Sequence, residues 1–215
     1  MRTYLVRHGE AVGNTEHRFI GQSDVPLSAV GREQAEAVSV YLSRAGITHI
    51  VSSDLVRCLD TAAPLADRLG LEPRFDVRLR EIANGLWSGL LPAEIRTGWP
   101  DLWQRYRHGE DVPRPEGERW ADVRTRSLEA LADLAGLGGD AVVAVFTHGG
   151  PLVLLAMEAL GLEPGGSVFA GPLGPAANCG ITSIRWLDQG AVLEAYNATG
   201  HLSPSSLLTD HPVAR

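Results

Sequence analysis

Little in this 215-residue chain points to secretion, to a membrane or to nucleic acid. Only two cysteines occur, Cys58 and Cys179. They are neither spaced as a metal pair nor numerous enough for a disulfide framework, so reduced thiols and a cytoplasmic setting are expected. No apolar run approaches the roughly 20 residues of a membrane span. Arg7 and His8 also interrupt the N-terminal segment before the apolar stretch of a signal peptide could be completed. The Asn197-Ala-Thr199 sequon therefore carries no weight. Basic residues are short as well: 19 Lys+Arg against 26 Asp+Glu leave a net charge of −7. That argues against a general nucleic-acid binder, which carries a basic footprint. It leaves room for a small anion held by a few local arginines. Neither H-x-x-x-H nor C-x-x-C spacing is present, so no metal and no cofactor are expected.

What is present fits one globular domain spanning residues 1–215. The apolar fraction of 44% and charged fraction of 21% are ordinary, and the length suits one core with an inserted cap. Residues 3–7 (TYLVR) read as a short buried strand. Ser28 can cap a helix carrying an apolar stripe at Val30, Ala37, Val38, Tyr41 and Leu42 and stopping at Gly46. A strand at 48–52 precedes a helix with Asp54 near its start and Gly70 as its stop. Strand–helix–strand–helix is the pattern of a parallel sheet with helices on its faces. Residues 73–120 are irregular, with five of the 13 prolines and four of the five tryptophans, and read as a cap (about 82–120) with short helices at 92–97 and 100–108. A long amphipathic helix (119–137), an apolar central strand (140–146), a helix after Gly149 and a final hairpin built from GITSIRWL and AVLEAYNA complete the chain. The tail from about residue 202 is expected to be poorly ordered. The fold class is α/β: a three-layer α/β/α sandwich with a mostly parallel central sheet.

Three of the expected strands end in polar clusters: Arg7-His8-Gly9, Ser52-Ser53-Asp54 with Arg57 one turn on, and Thr147-His148-Gly149-Gly150. Ligands of open α/β sheets bind outside the carboxyl ends of the strands. Two arginines offer fork-shaped donors to phosphate oxygens, and helix N-termini after Ser53 and Gly149 offer free N–H groups. Glycine beside each histidine allows close backbone approach. A neutral imidazole is a nucleophile able to form a covalent intermediate. The combination suits phosphoryl transfer. The competing reading, two satisfied polar residues at strand ends, has similar weight on these residues alone.

The segments LVRHGEAVGNTEHRFIGQSDVPLSAVGREQA, SSDLVRCLDTA, LREIANGLWSG and FTHGGPL resemble, in order, motifs of the histidine phosphatase superfamily, which includes cofactor-dependent phosphoglycerate mutases and many acid phosphatases. The resemblance implies a phosphoglycerate mutase-like fold and a role for each matching residue. His8 would become phosphohistidine. Arg7, Arg57 and His148 would hold the phosphoryl group, with Asn14 and the Gly149 N–H contributing. Gly21 and Gln22 would line the mouth. Glu81, which alone reads as a solvated surface carboxylate, would be the general acid and then the base, leaving Glu10 a supporting residue. Gly9 would let the chain turn close to the phosphate.

The chain departs from the family pattern at Ala11, where mutases usually carry serine or threonine, at Ala83-Asn84 before Gly85, and at Ser88. These positions bear on substrate identity. The cap has arginines but no adjacent pair and no lysine, and PRPEGERW looks like the Pro-x-Gly-Glu stretch of phosphatase members, with Glu116 and Glu118 disfavouring a substrate carboxylate. Water is thus the expected acceptor: metal-independent hydrolysis of a small phosphomonoester at mildly acidic to neutral pH. A phosphoglycerate mutase is the alternative, and a non-catalytic phospho-ligand binder a more distant one. The four cap tryptophans are expected to pack the cap in preference to facing ligand. Cys58 is expected to be buried filler. Oligomeric state and the identity of the substrate are not readable.

Overall fold

The computed structural model describes residues 1–12, 18–163, 168 and 171–207. In chain order the elements are β1 (Arg2–Arg7), α1 (Ala29–Leu42), β2 (His49–Ser52), α2 (Val56–Leu69), β3 (Arg74–Phe75), α3 (Pro92–Gly98), α4 (Pro100–Arg107), α5 (Trp120–Ala135), β4 (Val142–Thr147), α6 (Gly149–Ala159), β5 (Ile181–Trp186) and β6 (Ala191–Ala198). They build a six-stranded sheet of order β3-β2-β4-β1-β5-β6. Its first four members run parallel; β5 is antiparallel to β1, and β6 to β5.

The central strands are buried on both faces, which is why they read as unbroken apolar runs. Leu5, Val143 and Val145 join Leu131, Leu134, Leu152 and Leu155 of α5 and α6 in one core. Val6, Ala144 and Phe146 point the other way, joining Val38, Leu42, Ala62 and Leu65 of α1 and α2. The register then matters for the site: Arg7 of β1 lies beside Thr147 of β4, and Ser52 of β2 beside Phe146. His8, Ser53 and His148 therefore leave the sheet at one level.

α1 starts where expected, with Ser28 Oγ accepting the Gly31 N–H at 3.0 Å. Its buried face differs from the predicted stripe. Gly31, Gln34, Ala35, Val38, Ser39 and Leu42 face inward, whereas Tyr41 is exposed and lies against the His201 ring. The polar Gln34 is tolerated inside because it accepts from the Glu10 N–H at 2.8 Å and donates to the Ser206 carbonyl at 2.7 Å. The same contact accounts for the end of the described chain. Residues 204–207 form a 3₁₀ turn, and Leu202 and Ser206 are buried instead of trailing from the domain. Asp54 lies near the start of α2 as expected, but it does not cap the helix; its carboxylate accepts from Arg80 Nε (2.6 Å) and Nη2. Asp24 takes over the capping, its Oδ1 accepting the Val56 N–H at 2.8 Å.

Gly9 also has a packing role: a Cβ there would run into the backbone of Gly31, while a Cβ on Gly31 would overlap the Glu10 carbonyl. The glycine pair lets the turn after β1 rest directly on the first turn of α1. Gly31→Ala should therefore overpack this contact by about 1–3 kcal/mol, lowering the thermal midpoint by roughly 3–10 °C. Gly98→Ala, where a Cβ meets nothing within 4 Å, serves as the control. Equal midpoints for both variants would contradict this packing.

Candidate active site

Five of the predicted residues meet at the carboxyl end of the sheet: Arg7, His8, Arg57, Glu81 and His148. Asn14 lies outside the described residues. His8 is 5% exposed and extends β1 by one residue, its N–H donating to Thr147 O at 2.9 Å. Its Nδ1 lies 2.7 Å from the Gly9 carbonyl oxygen. A carbonyl only accepts, so Nδ1 carries a proton. The His8 and His148 rings meet edge to face, with centroids 5.1 Å apart.

Arg57 reaches in from the first turn of α2. It is 2% exposed and donates to Gly21 O (2.7 Å), Ser23 O (2.8 Å) and His148 Nδ1 (3.2 Å). These bonds use three of the five guanidinium N–H groups and leave two for an anion. Arg7 Nη1 donates to Ala176 O at 2.7 Å. Burial works against both cations: it lowers Arg7 to about 10 and Arg57 below its ordinary value, while the charge of Glu81 supports the protonated form of each. Both remain charged at neutral pH.

His148 is completely buried. Because Arg57 Nε can only donate, His148 Nδ1 is an acceptor and its proton sits on Nε2, which donates to Ser53 Oγ at 2.9 Å. Burial first, then the neighbouring charge of Arg57, holds His148 well below the usual histidine range. Cys58 Sγ lies 3.4 Å from Nε2, and burial pushes its thiol up to about 12, so it fills space as a neutral group.

Glu81 sits on a coil between 3₁₀ turns at Val77–Leu79 and Gly85–Trp87. Its carboxylate accepts from the Ile82 N–H (2.9 Å, Oε1) and the Gly150 N–H (3.2 Å, Oε2). Gly150 is required for this approach, since a Cβ would collide with Trp120 and with Glu81 Oε1. Gln22 Nε2 donates to the Glu81 carbonyl at 2.9 Å, so Gln22 and Gly21 tie the mouth loop to Glu81 and to Arg57 respectively. Gly149 is the buried first residue of α6. Glu10 is structural: Oε1 accepts from Ser28 Oγ at 2.6 Å, at the N-terminus of α1.

Sequence reasoning missed the supports. Asn178 Nδ2 donates to the His8 carbonyl at 2.9 Å, and the Cys179 N–H to Arg7 O at 2.9 Å. The turn before β5 thus grips the turn after β1, and the only signal was an Asn-Cys-Gly turn signature ahead of a strand. Of the cap tryptophans, Trp87 and Trp103 pack with Phe19 and Tyr106. Trp120 instead stacks on Arg114 and lies against Glu81 and Gly150. Among the described residues no group of three His, Cys, Asp or Glu gathers as metal ligands, and no helix is long and apolar enough to cross a membrane.

The state of His148 has a measurable consequence. The folded protein keeps it neutral well below 6.5, whereas the unfolded chain takes up a proton there. Its contribution to stability must therefore decline as pH falls through about 6.5, because the unfolded state then binds the extra proton. Between pH 7.5 and 5 the thermal midpoint of His148→Asn should fall less than that of the parent protein. Parallel slopes would contradict a neutral His148.

Comparison with known proteins agrees with this geometry. The profile of the Histidine phosphatase superfamily (branch 1) matches residues 3–199. A protein of Yersinia enterocolitica named "Probable phosphoglycerate mutase GpmB" is 36% identical over 214 residues, covering 96% of this chain and 97% of its own. The solved mycobacterial glucosyl-3-phosphoglycerate phosphatase superposes with a TM-score of 0.81 at 33% identity, covering 92% of this chain and 99% of its own. Bacillus stearothermophilus YhfR superposes with a TM-score of 0.85 at 28% identity, covering 94% and 99%. With the family profile matched over residues 3–199 and relatives covered almost from end to end, the chain belongs to the histidine phosphatase superfamily.

Proposed function

We propose that the protein is a metal-independent phosphomonoester hydrolase acting on a small phosphorylated metabolite through a phosphohistidine. The observation that carries this reading is the fixed tautomer of His8. Its Nδ1–H is held by Gly9 O at 2.7 Å, which leaves Nε2 as the attacking nitrogen in the neutral ring, and the buried cations Arg7 and Arg57 share its end of the sheet. Nε2 attacks phosphorus as the ester P–O bond breaks, and the protonated Glu81 carboxyl gives its proton to the leaving oxygen. Arg7 and Arg57 stabilise the charge on the phosphoryl oxygens throughout. The Glu81 carboxylate then takes a proton from water, whose oxygen attacks phosphorus. The P–N bond breaks, its electron pair returns to Nε2, and inorganic phosphate leaves. His148, neutral and locked between Arg57 and Ser53, keeps Arg57 aimed into the site.

The choice of water as acceptor is supported by arginines between Glu81 and His148. Arg105, Arg124 and Arg126 are each paired with a carboxylate of the chain itself, Glu110, Glu158 and Glu118. They are committed before any substrate carboxylate arrives. A solved relative named a phosphatase, at 33% identity, points the same way. The mutase reading is kept by two observations: the name carried by the Yersinia relative, and the neutralisation of Glu118 by Arg126, which removes one argument against a phosphoglycerate carboxylate. A cytoplasmic setting is supported by both cysteines being free thiols.

His8→Ala should abolish phosphate release from aryl and alkyl phosphates, a loss of at least about 10³-fold. Glu81→Gln should lower kcat on an alkyl phosphate by about 10²–10⁴-fold with little change in KM. Chelator should leave activity intact. A panel of phosphorylated metabolites headed by glucosyl-3-phosphoglycerate, together with 3-phosphoglycerate plus 2,3-bisphosphoglycerate, separates the two readings. Isomerised phosphoglycerate without net phosphate release would replace the hydrolase by the mutase. An active His8→Ala would remove both.

A further inference from the structure

We propose that Glu118 and Arg126 form a clamp that positions the Glu81 carboxyl for proton transfer to the leaving group. The proposal rests on the reading of Glu81 as general acid. Arg126 projects from α5 under the coil that carries Glu81. Its Nη1 donates to the carbonyls of Arg78 and Arg80, both at 2.6 Å, and its Nη2 to the carbonyl of Glu81 at 2.9 Å. The other edge of the guanidinium forms a two-point pair with Glu118, Nε to Oε1 at 2.8 Å and Nη2 to Oε2 at 3.0 Å. Glu118 Oε2 continues the chain of bonds by accepting the Ala83 N–H at 2.8 Å.

The consequence is geometric. Residues 80–84 belong to no helix or strand, so regular hydrogen bonding cannot orient Glu81. Instead three carbonyls at or before Glu81 and one N–H after it converge on a single ion pair. Glu118 is itself held in place. Its N–H donates to Ala83 O at 2.9 Å, and Leu86 N donates to Pro115 O at 2.9 Å. Gly85 and Gly117 permit this contact, since a Cβ on either would overlap the opposite backbone. A lysine could not replace Arg126, because a single ammonium cannot bond the carbonyls and the carboxylate in one plane. Neither residue touches the reacting atoms. Both act by fixing where the Glu81 side chain, already anchored by Ile82 N and Gly150 N, departs from the backbone.

A positioning role for the acid has a signature that mere loop stability lacks. Proton donation matters most for a poor leaving group. Rates on an alkyl phosphate and on p-nitrophenyl phosphate are to be measured for the parent protein, Glu81→Gln, Arg126→Ala and Glu118→Gln. Arg126→Ala is expected to lose roughly 30–100-fold in kcat on the alkyl ester and less than about 5-fold on the aryl ester, a pattern that tracks Glu81→Gln in weaker form. Added guanidinium should restore part of the alkyl activity. Glu118→Gln, which keeps Arg126 and an acceptor for Ala83 N, should show the same selectivity more mildly and decides the matter if Arg126→Ala does not fold. Equal losses on both esters in the clamp variants, with a selective loss in Glu81→Gln, would overturn the clamp and leave the acid intact. No selectivity in Glu81→Gln would overturn the acid assignment itself.

Discussion

Arg57 is a positive charge sealed almost completely from water, and its hydrogen bonds go to neutral acceptors alone. Taking such an ion out of solvent costs several kcal/mol even after relaxation. The fold tolerates it because three separate segments aim lone pairs at one guanidinium: two carbonyls from the mouth loop and one ring nitrogen from the turn after β4. The remaining positive potential is what an incoming anion neutralises. Much else follows from this one buried cation. It sets the tautomer of His148, and with it the bond from His148 to Ser53. It also draws residues 21–23 down over the sheet.

The sheet supplies the rigidity this arrangement needs. β1 lies between β4 and β5, buried on both faces, so Arg7 and His8 leave an element that cannot rock. The acid is mounted differently. Glu81 sits on irregular backbone held from outside by side chains of α5, by the Gln22 amide and by the first turn of α6. Nucleophile and acid thus arrive from supports of unlike kind, one made of strand pairing and the other of side chain-to-backbone bonds.

That difference also explains what could be read from the sequence. Leu5, Val6, Val143 and Phe146 announce buried strands because their pattern is local, and the polar clusters at the strand ends follow from where such strands stop. Glu81 has no periodic signal around it and came only through likeness to a family. Asn178, Glu118 and Arg126 were invisible because their partners are backbone groups far along the chain: 170 residues away for Asn178, and 45–48 for Arg126. Ordinary surface pairing describes Glu118 and Arg126 equally well until the carbonyls they hold are seen. The misplaced faces of α1 have the same origin. Gln34 is buried only because a loop N–H and the C-terminal turn both bond it.

The position of β1 between β4 and β5 has a consequence for the order of assembly. The segment bearing His8 is synthesised well before its strand neighbours at 142–147 and 181–186 and before its grip by Asn178, which lies between them. A growing chain cannot seat that histidine until those later segments have emerged, since non-local pairings fix it. Competence is thereby tied to the arrival of β5: a product truncated before it retains the motif but not the socket that orients it.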